Sequence, residues 1–484
     1  MEYIDIYCLK SILKESNHKD LINWRLVCKQ FKNIIDDLDF NVDFYTACEK
    51  GYYISINKYL KTDFFDYNKA LKFAIKGENI NVIKLLLKYG AKKVDSTIFN
   101  VQNIEIIKLL LPYIHRYRDI GLYIACKNKN LDLLDFLIPY CQNFNEALYG
   151  ACESGEISLI NFSIRKGARD FDNALKYACK SGKREIVDYI IKLGPNNYNL
   201  GLYGACEEGN LEFIKLMVEY GANDFEVGFI KTCINGHLDA AKLMINYGAR
   251  DYYTCLCYAC EYGKLEIVKF LIPFCVNNFN TALKYASNGG NIEIINLIIS
   301  CGANNFEDAL TCACFNGYIE VAKKMIYYGA KNYNQNLIHA IESQQFEIVK
   351  LLISYGANNF NDALECACIR GNIEIINYLI SHGANDFNRG LIMASMNKQI
   401  DVIKLMIKYG ADNLDEALFY ASQYGNIDLI KFLINNGAKN LNQALKTAII
   451  HENKEVAEYL AQKLNVNLTL LNQCYKFGCL EFLM

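Results

Sequence analysis

The dipeptide Gly-Ala recurs along this chain on a single beat. Gly167, Gly221, Gly248, Gly302, Gly329, Gly356, Gly383, Gly410 and Gly437 each precede an alanine, and every gap is 27 residues or twice that. A chain that repeats at one period over most of its length builds like units that stack, because a unit this short cannot bury an apolar face alone. At 484 residues the usual prior of about 150 residues per domain suggests three globules. The beat overrides that count, since a stack extends its core in one dimension.

A bulky apolar residue opens each unit, at Phe144, Phe171, Tyr198, Phe225, Tyr252, Phe279, Phe306, Tyr333, Phe360, Phe387, Leu414 and Leu441, so twelve units run without an insertion. Upstream the register is looser, and about four further units bring the total to about sixteen. In the unit Phe360 to Asp386, FNDALECACIRGNIEIINYLISHGAND, the spacing predicts two short helices. Asn361 stands where a side chain could cap the first, as do Asn280, Asn334, Asn388, Asn442, Asp172 and Asp415 in other units. Gly371 ends that helix, Asn372 caps the second, and Ile373, Ile376, Leu379 and Ile380 form its apolar stripe. Ala363, Leu364, Ala367 and Cys368 present small residues that let neighbouring helices approach. The expected fold is all-α, an elongated helix-turn-helix solenoid.

Hydrophobic residues are 52% of the chain, too many for disorder, and a formal net charge of −2 exerts no global pull on a phosphate backbone. Nucleic acid is therefore not an expected partner. Of the 20 cysteines, Cys152, Cys179, Cys206, Cys233, Cys260, Cys314 and Cys368 share one slot of the repeat, which Ser287, Ser395 and Ser422 fill elsewhere. A slot shared by cysteine and serine selects small size rather than a bridge. With neither a leader-like start nor a long uncharged apolar run, the chain reads as a cytoplasmic monomer without a membrane partner.

The run A-C-x-x-G-N-I-E-I-I-x-x-L-I-x-x-G-A, at Ala367 to Ala384, resembles the second half of the ankyrin repeat, and the match recurs along most of the chain. The ankyrin period is about 33 residues, so about six are missing per unit. The economical place for that loss is the β-hairpin finger between units, which is expected to be short or absent. The shortened repeats and the Ile-, Asn-, Lys-, Tyr- and Phe-rich composition resemble ankyrin-type proteins of giant DNA viruses, which would place the protein in host cytoplasm. Residues 1–42 do not follow the repeat. Asp20 to Ile35, DLINWRLVCKQFKNII, resembles the F-box pattern, although the Leu-Pro that opens that family is absent. The resemblance implies docking through Leu21, Trp24, Val27, Cys28, Phe31 and Ile34 onto the linker subunit of a cullin-type ubiquitin ligase. The plainer reading is an amphipathic cap. Residues 43–466 form the repeat stack, and 467–484 read as a truncated C-terminal capping repeat.

Chemistry is poorly provided for. The histidines, His18, His115, His237, His339, His382 and His451, occupy unrelated slots and no nucleophile–base pair emerges. Cys255, Cys257 and Cys260 are the sharpest metal candidate, but the first two point apart on a helix. No catalytic residue, metal or cofactor is assigned, and an enzyme or a nucleic-acid binder remains the alternative reading. Two slots of the first helix, one turn apart, vary freely from unit to unit and form a ladder. In ankyrin-like stacks the first helix lines the concave side, so the apolar members Tyr203, Ile230, Ile234, Phe315, Ile338, Ile369, Ile392, Met396 and Phe419 are the candidate anchors for a protein partner.

Overall fold

The computed structural model describes residues 44–52, 56, 59–60, 67–101, 103–114, 118–275 and 279–466. The F-box-like segment, with Leu21, Trp24, Val27, Cys28, Phe31 and Ile34, and the expected cap at 467–484 lie outside the described residues. The chain divides into two compact units, Met1–Thr232 with Asp239–Ala249, and Cys233–Leu238 with Arg250–Met484. Each is built from antiparallel helix pairs. In the first unit Phe171–Lys180 is followed by Arg184–Lys192, and Tyr198–Glu208 by Leu211–Glu219. In the second, Phe360–Arg370 is followed by Ile373–Ser381, and Phe387–Met396 by Ile400–Lys408. No strand occurs among the described residues, so the expected loss of the fingers holds there.

The Gly-Ala beat has a specific origin. At the end of Ile373–Ser381 the Gly383 amide donates to the Ile380 carbonyl at 3.0 Å and the Ala384 amide to that of Leu379 at 3.1 Å. This is the Schellman closure, in which glycine accepts the left-handed conformation, φ +108° at Gly383, and an apolar residue follows. Ala384 is that residue and it is buried. The first helix of this pair also ends on a left-handed glycine, Gly371 at φ +77°, with its amide and that of Asn372 both directed to the Ala367 carbonyl at 2.9 and 3.4 Å. In five other pairs a non-glycine residue takes this left-handed position: Glu78, Lys129, Gln344, Lys398 and Glu452.

Within the pair beginning at Phe360, Ala363, Leu364, Ala367 and Cys368 are all fully buried, as expected. The second helix differs slightly. Its buried arc is Ile375, Ile376 and Leu379, whereas Ile373 and Ile380 are half-buried at its edges. Burial of three such side chains contributes roughly 1.5–3 kcal/mol each, shared with the neighbouring repeats. All ten cysteines and serines of the small slot are buried, and in two further repeats the slot holds the larger Ile341 and Ile449, also buried.

Two devices link the ends of the helices where a finger would otherwise stand. The first residue of a pair stacks on the aromatic residue just past its second helix, as in Tyr198–Tyr220, with centroids 5.1 Å apart, and Phe306–Tyr328, 5.0 Å apart. The second device corrects a capping assignment. Asn361 is not the N-cap, because the helix already begins at Phe360. Its carboxamide oxygen reaches forward instead and accepts from the Asn385 and Asp386 amides, at 2.8 and 3.1 Å, in the segment that leads into the next repeat's first helix. Asn280, Asn388, Asp172 and Asp415 do the same for the repeats that follow them, and Asn334 accepts from the Asn358 amide. Asn442 makes no such bond among the described residues. Capping falls to the residue before the helix, as at Asp386, whose carboxylate accepts from Arg389 N at 3.1 Å. The reason is positional: one residue into the helix, a side chain clears its own first turn and meets the extended segment of its neighbour.

Candidate functional site

The anchors fall on the first helices of successive pairs, in each unit by itself. The first unit holds Tyr203 and Ile230, and the second holds Ile234, Phe315, Ile338, Ile369, Ile392, Met396 and Phe419. Phe315 is exposed, at 53%; the other eight are half-buried. The first helices approach closely beside Tyr203, where a Cβ added at Gly204 would lie 2.2 Å from the Lys176 carbonyl oxygen, so those two repeats come nearly to backbone contact. Tyr203 is also engaged, since its hydroxyl donates to the Asp224 carboxylate. Polar contacts accompany the apolar rungs of the second unit: Arg389 Nε pairs with Glu365 at 2.6 Å, and His339 Nδ1 lies within hydrogen-bonding distance of Glu342, at 3.2 Å.

In the first unit the same face carries a network that the search for apolar anchors missed. Tyr123 and Tyr149 donate their hydroxyls to Glu153 and Asp170. The Tyr177 ring stacks on Tyr149, centroids 5.2 Å apart and planes within 14°, and meets Tyr123 at 5.6 Å. Glu207 gathers three lysines, Lys231 at 3.1 Å, Lys180 at 3.2 Å and Lys176 at 3.3 Å. Burial works to raise the pKa of Glu207, but the hydrogen bond from Lys231 and the charges of Lys176 and Lys180 outweigh it and hold the carboxyl below its usual range. The signal was present in the sequence as an alternation at one slot, Tyr123, Gly150, Tyr177 and Gly204, each 27 residues from the next.

The thiols are chemically quiet. Every described cysteine is free, and burial pushes Cys179, Cys314 and Cys368 up to about 12, so they stay protonated near neutrality and are poor nucleophiles and ligands. Among the described residues no group of three or more His, Cys, Asp or Glu side chains could hold a metal ion. No described helix is long and apolar enough to cross a membrane. His237, His339, His382 and His451 lie on separate repeats, while His18 and His115 fall outside the described residues.

Comparison with known proteins follows the same lines. The family described as ankyrin repeats (3 copies) matches at residues 122–200, 202–278, 229–309, 310–390 and 391–470, most of the chain. The F-box domain family matches at residues 4–43. Among solved structures, the human ASB11 ankyrin repeat domain is 24% identical, with a TM-score of 0.30 over 34% of this chain and 90% of that one. No curated protein sequence matches.

Proposed function

This chain belongs to the ankyrin-repeat family and carries an F-box domain ahead of its repeats, and from that premise we propose that it is an adaptor recruiting a protein to a cullin-type ubiquitin ligase. In this reading Leu21, Trp24, Val27, Cys28, Phe31 and Ile34 dock on the ligase linker subunit, and the first-helix face of the repeats holds the protein to be modified. The observation that carries it is the pairing of the two modules in one chain, an F-box match at residues 4–43 followed by ankyrin repeats from residue 122. The first-helix slots support it from the structure. They are the positions the scaffold leaves free to vary, and in the second unit Ile338, Ile369, Ile392, Met396 and Phe419 offer repeated, partly covered apolar rungs suited to contact with a partner. Free, neutral thiols suit a reducing compartment such as the cytoplasm.

Affinity capture with the full chain and with residues 43–484, followed by identification of the bound proteins, tests the assignment. The full chain should retain a ligase linker subunit, and both forms should retain the same second partner. Trp24→Ala combined with Val27→Asp in the full chain should abolish capture of the linker subunit alone. Retention of the linker subunit by residues 43–484 would remove the F-box from the reading.

A further inference from the structure

One cluster in the first unit sets packed tyrosine rings beside a carboxylate that has no counter-ion among the described residues. Its centre is an absent side chain. A Cβ at Gly150 would fall 2.1 Å from the Tyr123 carbonyl oxygen, so only glycine permits that approach, and the Tyr177 and Tyr123 rings meet from the repeats on either side. Tyr149 completes a three-ring cluster through its stack on Tyr177. Two of the hydroxyls donate to carboxylates, Tyr123 to Glu153 and Tyr149 to Asp170, which increases the electron density of those rings and so their attraction for a positive charge. The chain already uses this chemistry at the edge of the cluster: Lys127 Nζ lies 5.5 Å from the Tyr123 centroid and 2.9 Å from Glu153.

Glu146 is the member left over. It lies three residues before Tyr149, on the same helical face, and is half-buried. Among the described residues it makes no hydrogen bond or ion pair. Burial raises its pKa, and the nearby charges of Asp119 and Asp170 raise it further, the mark of a carboxyl set among carboxylates. An aromatic cluster bordered by a carboxylate without a counter-ion is complementary to a planar cation. A guanidinium can lie on a tyrosine face and still present two donors to one carboxylate, which a compact ammonium cannot do.

We propose that Tyr123, Tyr149, Tyr177 and Glu146 seat an arginine side chain of the protein partner, an assignment that rests on the adaptor reading for the source of that arginine. The test uses the full chain and an end-blocked pentapeptide with one arginine flanked by glycines. Citrulline, of the same shape without the charge, and lysine replace the arginine in two control peptides. Binding is read by saturation-transfer NMR on the peptide. The arginine peptide should bind at least tenfold more tightly than either control, and Glu146→Gln should weaken it about tenfold. Glu374→Gln, an exposed acid in the second unit, should leave it unchanged. Tyr177→Ala should also weaken it, and if that variant loses helical signal then Glu146→Gln decides alone. Absence of binding, equal binding of the citrulline or lysine peptide, or wild-type affinity in Glu146→Gln would each overturn the assignment. These outcomes read separately from the capture experiment: a chain that retains its partner but shows no preference for arginine keeps the adaptor function and loses this site.

Discussion

Replacing Asn361 by alanine removes a link between repeats while touching neither the core nor the N-cap residue, Asn359. Its carboxamide oxygen accepts the amides of Asn385 and Asp386 at 2.8 and 3.1 Å, and its own NH2 donates to Asn385 Oδ1 at 3.1 Å. A hydrogen bond within a folded protein is worth about 0.5–1.5 kcal/mol net, and these are exposed, so water partly replaces the lost acceptor and the low end applies. Three such bonds give about 1.5–2 kcal/mol, against which alanine returns about 0.5 kcal/mol through its better helix propensity. The expected loss is thus about 1 to 1.5 kcal/mol, confined to one junction between neighbours. Asn361→Asp keeps the acceptor and adds a negative charge in the first helical turn, so it should stay within about 0.5 kcal/mol of the parent. Asp172 and Asp415 already fill this role in other repeats. Urea denaturation followed by circular dichroism gives the global cost, and hydrogen exchange at Asn385 and Asp386 gives the local one, expected to rise roughly tenfold in Asn361→Ala. Equal exchange at those two amides in the alanine and aspartate variants would refute the argument that this side chain joins adjacent repeats.

Three further outcomes follow from other features. Ala367 is fully buried, so Ala367→Glu places an unpaired charge between helices and should cost about 3–5 kcal/mol in thermal or urea melts, whereas Glu365→Ala loses only a surface pair with Arg389 and should cost under about 1 kcal/mol. Similar melts for the two would reverse the assignment of inside and outside. Gln344 holds the left-handed position at φ +60°, so Gln344→Gly should stabilise the chain by about 0.5–1 kcal/mol, and destabilisation would show that its side chain contributes more than the backbone strain costs. Glu207, held below its ordinary 4.5 by three lysines, contributes stability that is complete above that value and is lost as pH falls through its lower folded-state pKa. The stability gap between the parent and Glu207→Gln should therefore be constant from about pH 6 to 8 and close below about pH 4; a gap that widens in acid would contradict the sign.

Much of the fold was legible because a short period makes the chain its own control. The twelve units from Phe144, the glycine closures, the buried Ala367 and Cys368 and the absent fingers all follow from comparing one repeat with the next. The expected cap at Asn361 was misplaced by two residues, since sequence shows that a polar side chain recurs there but not which amides it reaches. The ladder positions were found, but their exposure was not. Only the packed structure shows that Ile338 or Phe419 is partly covered while Phe315 stands clear. The tyrosine cluster was missed for a related reason: Tyr123 and Tyr177 are 54 residues apart and meet only because Gly150 leaves room between them.

By itself, then, the sequence determined the period, the helical class and the two interaction modules, because those are properties of local pattern and each repeat states them again. Tertiary structure decided which side chains serve as links between repeats, how far the variable face is open, and where a carboxylate is left without a partner. Those depend on distances between residues of different repeats, and such distances come into existence only when the helices stack.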